Sequence, residues 1–347
     1  MTHSGKTLII RISSLGDVIL ASASLNSAAL PEHVDWAVAQ EFSQVIDGHP
    51  RLHTLYSFDR KSGYRGWVQL CRTFWEQRYD QIYDLHNSLR TRLMRVLFLF
   101  WSLSDSFSGK QTQAAPRWKS ISKPRLRLWG FFLFKRFWPR QLRPEPWVQK
   151  FARSVGGSGS ERPDLRHLCV QAVPKKLEFD PPSRWICVMP SSRWSGKTWP
   201  VSSYADLISK FDIFPVVLGT AKDSESHELV KELQRRSIAH YSAVGKWDLR
   251  MTAWALNQCP EGYLGSDTGL AHLAEAVGAP ARMLFGPTHP EMGFGPWGAQ
   301  SRSIQTPLSC RPCSRNGRFC YRFWQPYACL RDLSADHVRQ QFERSQC

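Results

Sequence analysis

The stretch YLGSDTGLAHLAEAVGAPARMLFGPTHP, residues 263–290, places a small polar cluster between a strand-like run and a helix. Two apolar residues, Tyr263 and Leu264, precede GSDTG. A segment with the apolar periodicity of a helix follows, and ARMLFGP predicts a second strand. At such a junction the free backbone N–H groups and the helix dipole point at one place, where α/β proteins bind anions. The stretch therefore predicts an anion site made by Ser266, Asp267, Thr268 and Gly269. His272 either lies near the ligand or packs within the helix.

Length and composition indicate a folded globular protein. The chain has 347 residues, enough for two domains, with 42% hydrophobic and 22% charged residues. No apolar run reaches the roughly 18 residues of a membrane-spanning helix. The start, MTHSGKTLIIRIS, enters a strand-like run without the apolar core of a signal peptide. We therefore expect a cytoplasmic protein.

Positive charge is concentrated in one part of the chain. The net charge is +17, and residues 89–150 carry fourteen Lys or Arg against two acids, Asp105 and Glu145. Aromatic and aliphatic residues are interleaved with these cations, as in RLRLWGFFLFKRFWPRQLRPEPW. Such a surface attracts nucleic acid or an anionic membrane, and its Phe, Leu and Trp content favours the membrane. The alternative is a solvated basic face beside ordinary core residues.

Strand-like runs alternate with helical stretches in both halves, which predicts α/β folds with parallel, doubly wound sheets. A helix is expected over 17–30, and Gly-, Ser- and Pro-containing stretches between 156 and 183 mark a boundary. We expect an N-terminal Rossmann-like domain over 1–170, with a basic aromatic insertion at about 109–145 that is part loop and part amphipathic helix. A C-terminal Rossmann-like domain over 184–332 and a helix over 333–347 follow. Ligands would bind beyond the carboxyl ends of the strands, in a cleft between the domains.

A carboxylate follows the first strand of the first half, and two more follow the second strand of the second half. In ISSLGDVIL, residues 12–20, Gly16 allows a tight turn and Asp17 begins the helix. Asp17 either complements the helix dipole or acts as a general base. In LGTAKDSESHE, residues 218–228, Asp223 and Glu225 can accept hydrogen bonds from ribose, or can serve only as acids at a helix start.

The loop PSSRWSGKTWP, residues 190–200, offers groups that bind phosphate. Ser191 and Ser192 can donate to phosphate oxygens, and Lys197 supplies a point cation. A capping loop with an exposed lysine is the alternative. The chain has no Walker A pattern, so it is not a P-loop NTPase, and no Asp-x-Asp pattern, which disfavours a divalent metal at the reaction centre.

Four of the nine cysteines cluster near the C-terminus, in LSCRPCSRNGRFCYRFWQPYACL. They are Cys310, Cys313, Cys320 and Cys329. In a reducing compartment such a cluster favours a metal over disulfides. Because the later gaps fit no standard zinc finger, two alternatives stay open: a structural zinc or iron ion, or thiols that are reduced or partly paired.

These segments, in this order, resemble glycosyltransferase family 9, the ADP-heptose:lipopolysaccharide heptosyltransferases. IIRISSLGDVILASASL is similar to the N-terminal motif of the family, PSSRWSGKTWP to its Lys-x-Trp-Pro segment, and SDTGLAHLAEAVGAPARMLFGPTHP to its Asp-Thr-Gly-x-x-His signature. YDQIYDLHNSLRTRLM and the cysteine tail are similar to further family stretches. The resemblance covers most of the chain and implies the GT-B fold, with the donor in the second domain and the acceptor facing the first.

The resemblance also implies residue roles. Asp17 becomes the catalytic base and Lys197 the cation on the donor phosphates. Nucleotide-sugar contacts are implied for Ser191, Ser192, Asp223, Glu225, Ser266, Asp267, Thr268, Gly269 and His272. Arg60, Lys61 and Arg65, together with the basic segment, are expected to hold an anionic, lipid-linked saccharide. No cofactor is expected for catalysis.

The expected reaction is inverting transfer of heptose from ADP-heptose to a lipopolysaccharide inner-core acceptor, without a metal at the reaction centre. The enzyme would be peripheral at the inner face of the inner membrane, with no specific nucleic-acid partner. Two alternatives stay open. One is a glycosyltransferase of the same fold with another donor sugar or a protein acceptor, and the other is a non-catalytic protein that binds sugar nucleotides or polyanions.

Overall fold

The computed structural model describes residues 5–107, 115–171 and 177–343 of the chain. The chain divides into two compact units. Unit 1 comprises Met1–Lys123 and Trp147–Asp164, and unit 2 comprises Pro124–Pro146 and Leu165–Cys347. Among the helices in these described ranges, none combines the length and apolarity needed to cross a membrane.

Unit 1 is built on a parallel sheet. In chain order the elements up to residue 154 are β1 (Thr7–Ile10), α1 (Leu15–Ala21), β2 (Val34–Ala39), β3 (Leu52–Phe58), α2 (Gly63–Glu76), β4 (Gln81–Asp84), α3 (Leu89–Phe107), β5 (Arg117–Ser120), α4 (Arg125–Phe134) and α5 (Trp147–Ser154). The five strands lie in the order β3-β2-β1-β4-β5, all parallel. Leu8, Ile9 and Ile10 of β1 are fully buried, because helices cover both faces of an inner parallel strand.

The segment expected as an insertion contributes to both units. Residues 109–114 lie outside the described residues, but Arg117–Ser120 forms β5, an edge strand of unit 1. Its sequence, RWKS, is mostly exposed, so it lacks the apolar run that marks inner strands, and charged residues are typical of sheet edges. Helix α4 and the turns up to Pro146 pack with unit 2, not with the N-terminal domain. Helix α1 ends at Ala21, and a 3₁₀ turn, Ser22–Asn26, continues from it.

Unit 2 has the same topology with one more strand. Its later elements are α6 (His167–Gln171), β6 (Trp185–Met189), α7 (Val201–Phe211), β7 (Phe214–Val217), α8 (Ser224–Arg235), β8 (Tyr241–Ser242), α9 (Leu249–Gln258), β9 (Tyr263–Ser266), α10 (Gly269–Ala276), β10 (Ala281–Phe285), β11 (Arg302–Gln305), α11 (Ala328–Arg331) and α12 (Ala335–Glu343). The strand order is β11-β10-β9-β6-β7-β8, all parallel. The predicted fold class, two doubly wound parallel sheets, is therefore confirmed.

In each unit the chain reverses its direction of winding beside the first strand, at β1/β4 and at β6/β9. Ligands of open α/β sheets bind at the carboxyl ends of strands at such a switch point. The C-terminal helix belongs to the core of unit 2, since Val338 and Phe342 of α12 are buried and the ring of Phe342 lies 5.2 Å from that of Phe211 in α7. Residues 344–347 of the expected C-terminal helix lie outside the described residues.

Candidate active site

A lysine and an aspartate meet at the switch point of unit 2. Lys197 lies in the loop after β6, and Asp267 directly follows the neighbouring strand β9. Lys197 Nζ lies 2.7 Å from Asp267 Oδ1 and donates a hydrogen bond to the Asp267 backbone carbonyl at 2.8 Å. The two side chains are only 11% and 6% exposed. The cation is therefore held at one defined place at the edge of the sheet.

A third strand completes this arrangement. Thr288 follows β10, and its Oγ1 donates to Asp267 Oδ2 at 3.1 Å. Ser266 Oγ donates to the backbone carbonyl of Lys197. Asp267 is thus engaged by Lys197 on one oxygen and by Thr288 on the other. Because its charge is paired within the protein, it does not leave an isolated anion where a second anion would have to bind.

The start of α10 has backbone N–H groups without a side-chain cap. Thr268 is the N-cap residue, but its Oγ1 lies 3.2 Å from the Tyr263 hydroxyl and does not cap the first turn. These N–H groups, beginning at Gly269, are suited to bind an anion. His272 is 3% exposed, with Nδ1 3.4 Å from Glu275 Oε2. His272 is thus packed inside the unit, which is one of the two environments predicted for it.

Ser191 and Glu225, two of the predicted donor-site residues, are in contact through their side chains. Ser191 is buried, and its Oγ lies 3.0 Å from Ser226 Oγ, accepts from the Ser226 N–H, and lies 3.4 Å from Glu225 Oε2. Ser191 therefore fixes the start of α8 and the Glu225 carboxylate. Ser192 is half-buried, and its Oγ only accepts, from Trp194 N–H at 3.5 Å, so its own proton is uncommitted.

The structure separates the two acids considered for ribose. Asp223 Oδ2 accepts from both the N–H and the hydroxyl of Thr220, at 2.6 and 2.9 Å, and so closes a local turn. Glu225 instead lines a groove of about 710 Å³, together with residues such as Ser195, Thr198 and Tyr327. Glu225, not Asp223, faces space in which a ligand can lie.

In unit 1, Asp17 is held through one of its two oxygens. Oδ2 lies 2.7 Å from Arg11 Nη2 and accepts from the N–H and hydroxyl of Ser14, at 3.2 and 2.9 Å. Among the described residues, Oδ1 has no hydrogen-bond partner. The side chain of Asp17 is 22% exposed, whereas that of Arg11 is 8% exposed. Arg11 donates to the Leu85 carbonyl and stacks over Phe151. The carboxylate is therefore oriented, with one oxygen left to accept a proton.

A neutral histidine lies near this carboxylate. Burial, and to a smaller extent the charges of Arg11 and Lys123, lower the pKa of His86 to about 4, while Asp17 acts in the opposite direction. At neutral pH His86 is therefore uncharged.

Comparison with known proteins relates the chain to one family of enzymes. The family model of glycosyltransferase family 9 (heptosyltransferase) matches residues 158–320, which include Lys197 and Asp267. The chain is 24% identical over 328 residues to lipopolysaccharide heptosyltransferase 1 of Pseudomonas aeruginosa, covering 89% of this chain and 86% of that protein.

The chain is a glycosyltransferase, and its residues 158–320 match family 9. Two solved structures share its fold across nearly the whole length. A family 9 glycosyltransferase from Veillonella parvula has a TM-score of 0.71 at 19% identity, covering 99% of this chain and 97% of that one. E. coli heptosyltransferase WaaC with ADP has a TM-score of 0.67 at 18% identity, covering 98% and 99%. The fold of this glycosyltransferase is of the GT-B type.

The predicted acceptor-binding cations of this glycosyltransferase lie together in unit 1. Arg60–Ser62 is a short 3₁₀ turn after β3, and Arg65 is in the first turn of α2. Arg60 pairs with Glu41 and lies over the ring of Phe42. Lys61 and Arg65 are exposed and have no side-chain partner among the described residues, so two of the three cations are free to bind an anion.

The expected structural metal at the cysteines is not supported. Within the described part of the chain, no three His, Cys, Asp or Glu side chains converge as metal ligands, and Cys310, Cys313, Cys320 and Cys329 are free thiols. Burial raises the pKa of Cys313 to about 11 and that of Cys329 to about 12, so both thiols are neutral near pH 7. Of the two outcomes left open by the spacing, reduced thiols agree with the structure.

Several residues that build the site carry no local sequence signal. Arg11 holds Asp17, Thr288 holds Asp267, and buried Arg311 donates to the carbonyls of Thr288, Gly286 and Thr306. Each contact joins residues that are distant in the chain or lie on different elements. The Gly-Pro-Thr turn after β10, within the stretch 263–290, was the available pointer to Thr288.

Proposed function

We propose that this glycosyltransferase transfers heptose from ADP-heptose to the inner core of lipopolysaccharide, with inversion and without a metal at the reaction centre. The observation that carries the proposal is the buried Lys197–Asp267 pair beside the uncapped start of α10. The named activity of the Pseudomonas relative and the ADP in the E. coli structure support the choice of donor.

In this proposal unit 2 holds the donor. Lys197, the Ser192 hydroxyl and the N–H groups at Gly269 bind the diphosphate, and Glu225 accepts from the ribose. Negative charge grows on the leaving phosphate as the glycosidic bond breaks, so a fixed cation and fixed N–H dipoles stabilise the transition state more than the ground state. Ser191, Asp267 and Thr268 position these groups, and His272 supports α10 from inside.

Asp17 is the proposed base of unit 1. Its Oδ1 takes the proton of an acceptor hydroxyl, and that oxygen forms a bond to the anomeric carbon while the bond to ADP breaks on the opposite face. Arg11 and Ser14 keep Oδ2 occupied, which directs Oδ1 to the substrate. Lys61 and Arg65, with Arg60, would bind the phosphates and carboxylates of the acceptor. We further propose that the enzyme works as a peripheral protein at the inner face of the inner membrane.

Calorimetric titration with ADP, UDP and GDP, in Mg²⁺ and in EDTA, tests the donor assignment. We expect ADP to bind most tightly and equally in both buffers, followed by heptose transfer from ADP-heptose to a heptose-deficient core acceptor. Preference for UDP or GDP would contradict the donor, and loss of transfer in EDTA would contradict a metal-free reaction centre. Absence of binding to any nucleotide would overturn the donor site itself.

A further inference from the structure

The outward face of helix α4 is apolar, the reverse of what a helix on a globular protein usually presents to water. Leu126, Trp129 and Leu133 share one face by their i, i+3, i+7 spacing and are 87%, 73% and 73% exposed. On the inner face Phe131 is buried, with its ring edge-on to His289 at 5.4 Å. The helix is therefore anchored to unit 2 by one side, while its apolar stripe faces outward.

A second group of exposed aromatic residues lies on the loop that carries the cysteine cluster. We call residues 313–324 the aromatic loop; its exposed rings are those of Phe319, Tyr321, Phe323 and Trp324. The loop is packed from inside, because a Cβ on Gly317 would lie 2.8 Å from Lys197 Cγ. These rings are thus held outward on an anchored loop that touches the proposed donor site.

A groove joins α4 to the aromatic loop. It encloses about 730 Å³, and its lining includes Trp129, Phe132, Phe319, Arg125, Lys135 and Arg315. The helix, the loop and the groove between them therefore form one surface of unit 2, which we call the α4–loop surface.

The α4–loop surface is cationic as well as apolar. Residues 115–144 and 307–331 contain no Asp or Glu. Arg125 and Arg315 are exposed and have no ion-pair partner among the described residues. A surface that offers both unpaired arginines and exposed hydrocarbon suits a partner that combines anionic groups with an apolar layer.

We propose that the α4–loop surface docks unit 2 on a bilayer containing anionic phospholipid, with phosphate headgroups in the groove. Trp129 and the rings of the aromatic loop enter the interfacial layer, where amphipathic aromatic residues are favoured. A second copy of the chain is a poorer partner, because it would bring like charges together. Nucleic acid is also a poorer partner, because its bases cannot stack on the aliphatic side chains of Leu126 and Leu133. The inference deepens the proposed membrane association, on which it rests, and assigns docking to the unit that binds the donor.

Vesicle co-sedimentation of the full-length protein tests this surface. The probes are phosphatidylcholine vesicles with and without about one third phosphatidylglycerol, at low and high salt. One variant removes the stripe (Leu126→Ser, Trp129→Ser, Leu133→Ser), and another reverses charge (Arg125→Glu, Arg315→Glu). The matched control removes an exposed apolar stripe at i, i+4 and i+7 from α3 of unit 1 (Val96→Ser, Phe100→Ser, Leu103→Ser). Calorimetry with ADP is run on every variant.

We expect binding only to anionic vesicles and weaker binding in high salt, with losses of about 10- to 100-fold in both α4–loop variants. The α3 control should stay within about 2-fold, and ADP affinity should be unchanged throughout. Unchanged vesicle binding in both variants, or an equal loss in the control, would overturn the proposal. The proposal would also be overturned if the α4–loop variants kept vesicle binding but lost self-association, measured by sedimentation velocity. The same holds if they kept vesicle binding but lost oligonucleotide binding. Failure of ADP binding with intact vesicle binding would contradict only the proposed function.

Discussion

The two units place ion pairs of opposite polarity at the same position of the same topology. In unit 1 a buried arginine supports a carboxylate that is the more exposed partner, Asp17 at 22% against Arg11 at 8%. In unit 2 a buried aspartate supports the more exposed lysine, Lys197 at 11% against Asp267 at 6%. The buried partner fixes the orientation of the other, and the more exposed partner is the one a ligand can meet. A single scaffold thereby presents a carboxylate in one unit and a cation in the other.

The largest expected effect concerns the carboxylate of unit 1, Asp17. Asp17→Asn keeps the shape of the side chain but removes its ability to take a proton, so turnover should fall by about 10²- to 10⁴-fold. ADP affinity should not change, because the donor groups lie in unit 2. Steady-state transfer assays with calorimetry measure both quantities. Turnover near that of the parent protein would contradict the assignment of the base.

The next largest effect concerns the cation of unit 2, Lys197. Lys197→Ala removes the cation from the leaving phosphate and should reduce turnover by about 100- to 1,000-fold, with weaker ADP binding. Lys210→Ala, which removes an exposed lysine paired with Asp336, is the matched control and should leave both unchanged.

The Lys197→Ala variant also leaves Asp267 buried without its cation, which is destabilising. The double variant Lys197→Met, Asp267→Asn removes both charges and tests whether the loss reflects unfolding. If this double variant folds, as judged by its melting temperature, and still binds ADP as the parent does, Lys197 is not the phosphate cation.

A smaller effect concerns the two acids of unit 2, Glu225 and Asp223. Glu225→Ala should weaken ADP binding by about 10- to 100-fold, as expected for a lost hydrogen bond to a charged group. Asp223→Ala should reduce thermal stability instead, because its carboxylate closes the turn at Thr220. Calorimetry and thermal melting on both variants separate the two roles. The reverse pattern would move the ribose contact to Asp223.

The smallest effect concerns His86 of unit 1. Its pKa is lowered from about 6.5 to about 4, so the unfolded chain binds more protons between these values. The stability that this group contributes is present above about pH 6.5 and is lost as pH falls towards 4. His86→Gln should therefore show a shallower fall in melting temperature between pH 7 and pH 5, by a few degrees. Parallel melting curves for variant and parent would contradict the assignment.

Local sequence pattern was sufficient for much of the fold. The apolar run VDWAVA spans inner strand β2, and the run VSSYADLISKF, with its helical period, spans α7. Inner parallel strands are apolar throughout and helices carry a period of 3.6, so both can be read from neighbouring residues. Edge strand β5, with its charged RWKS, offers no such pattern and was missed.

By itself the sequence determined the fold class, the family and the polar junctions where Asp17, Lys197 and Asp267 lie, because turn chemistry and helix starts depend on adjacent residues. Only the tertiary structure decided which of these groups meet. Lys197 and Asp267 are seventy residues apart and pair because β9 lies beside β6. The docking of α4 on unit 2 was decided in the same way, since the burial of Phe131 depends on a surface formed far along the chain.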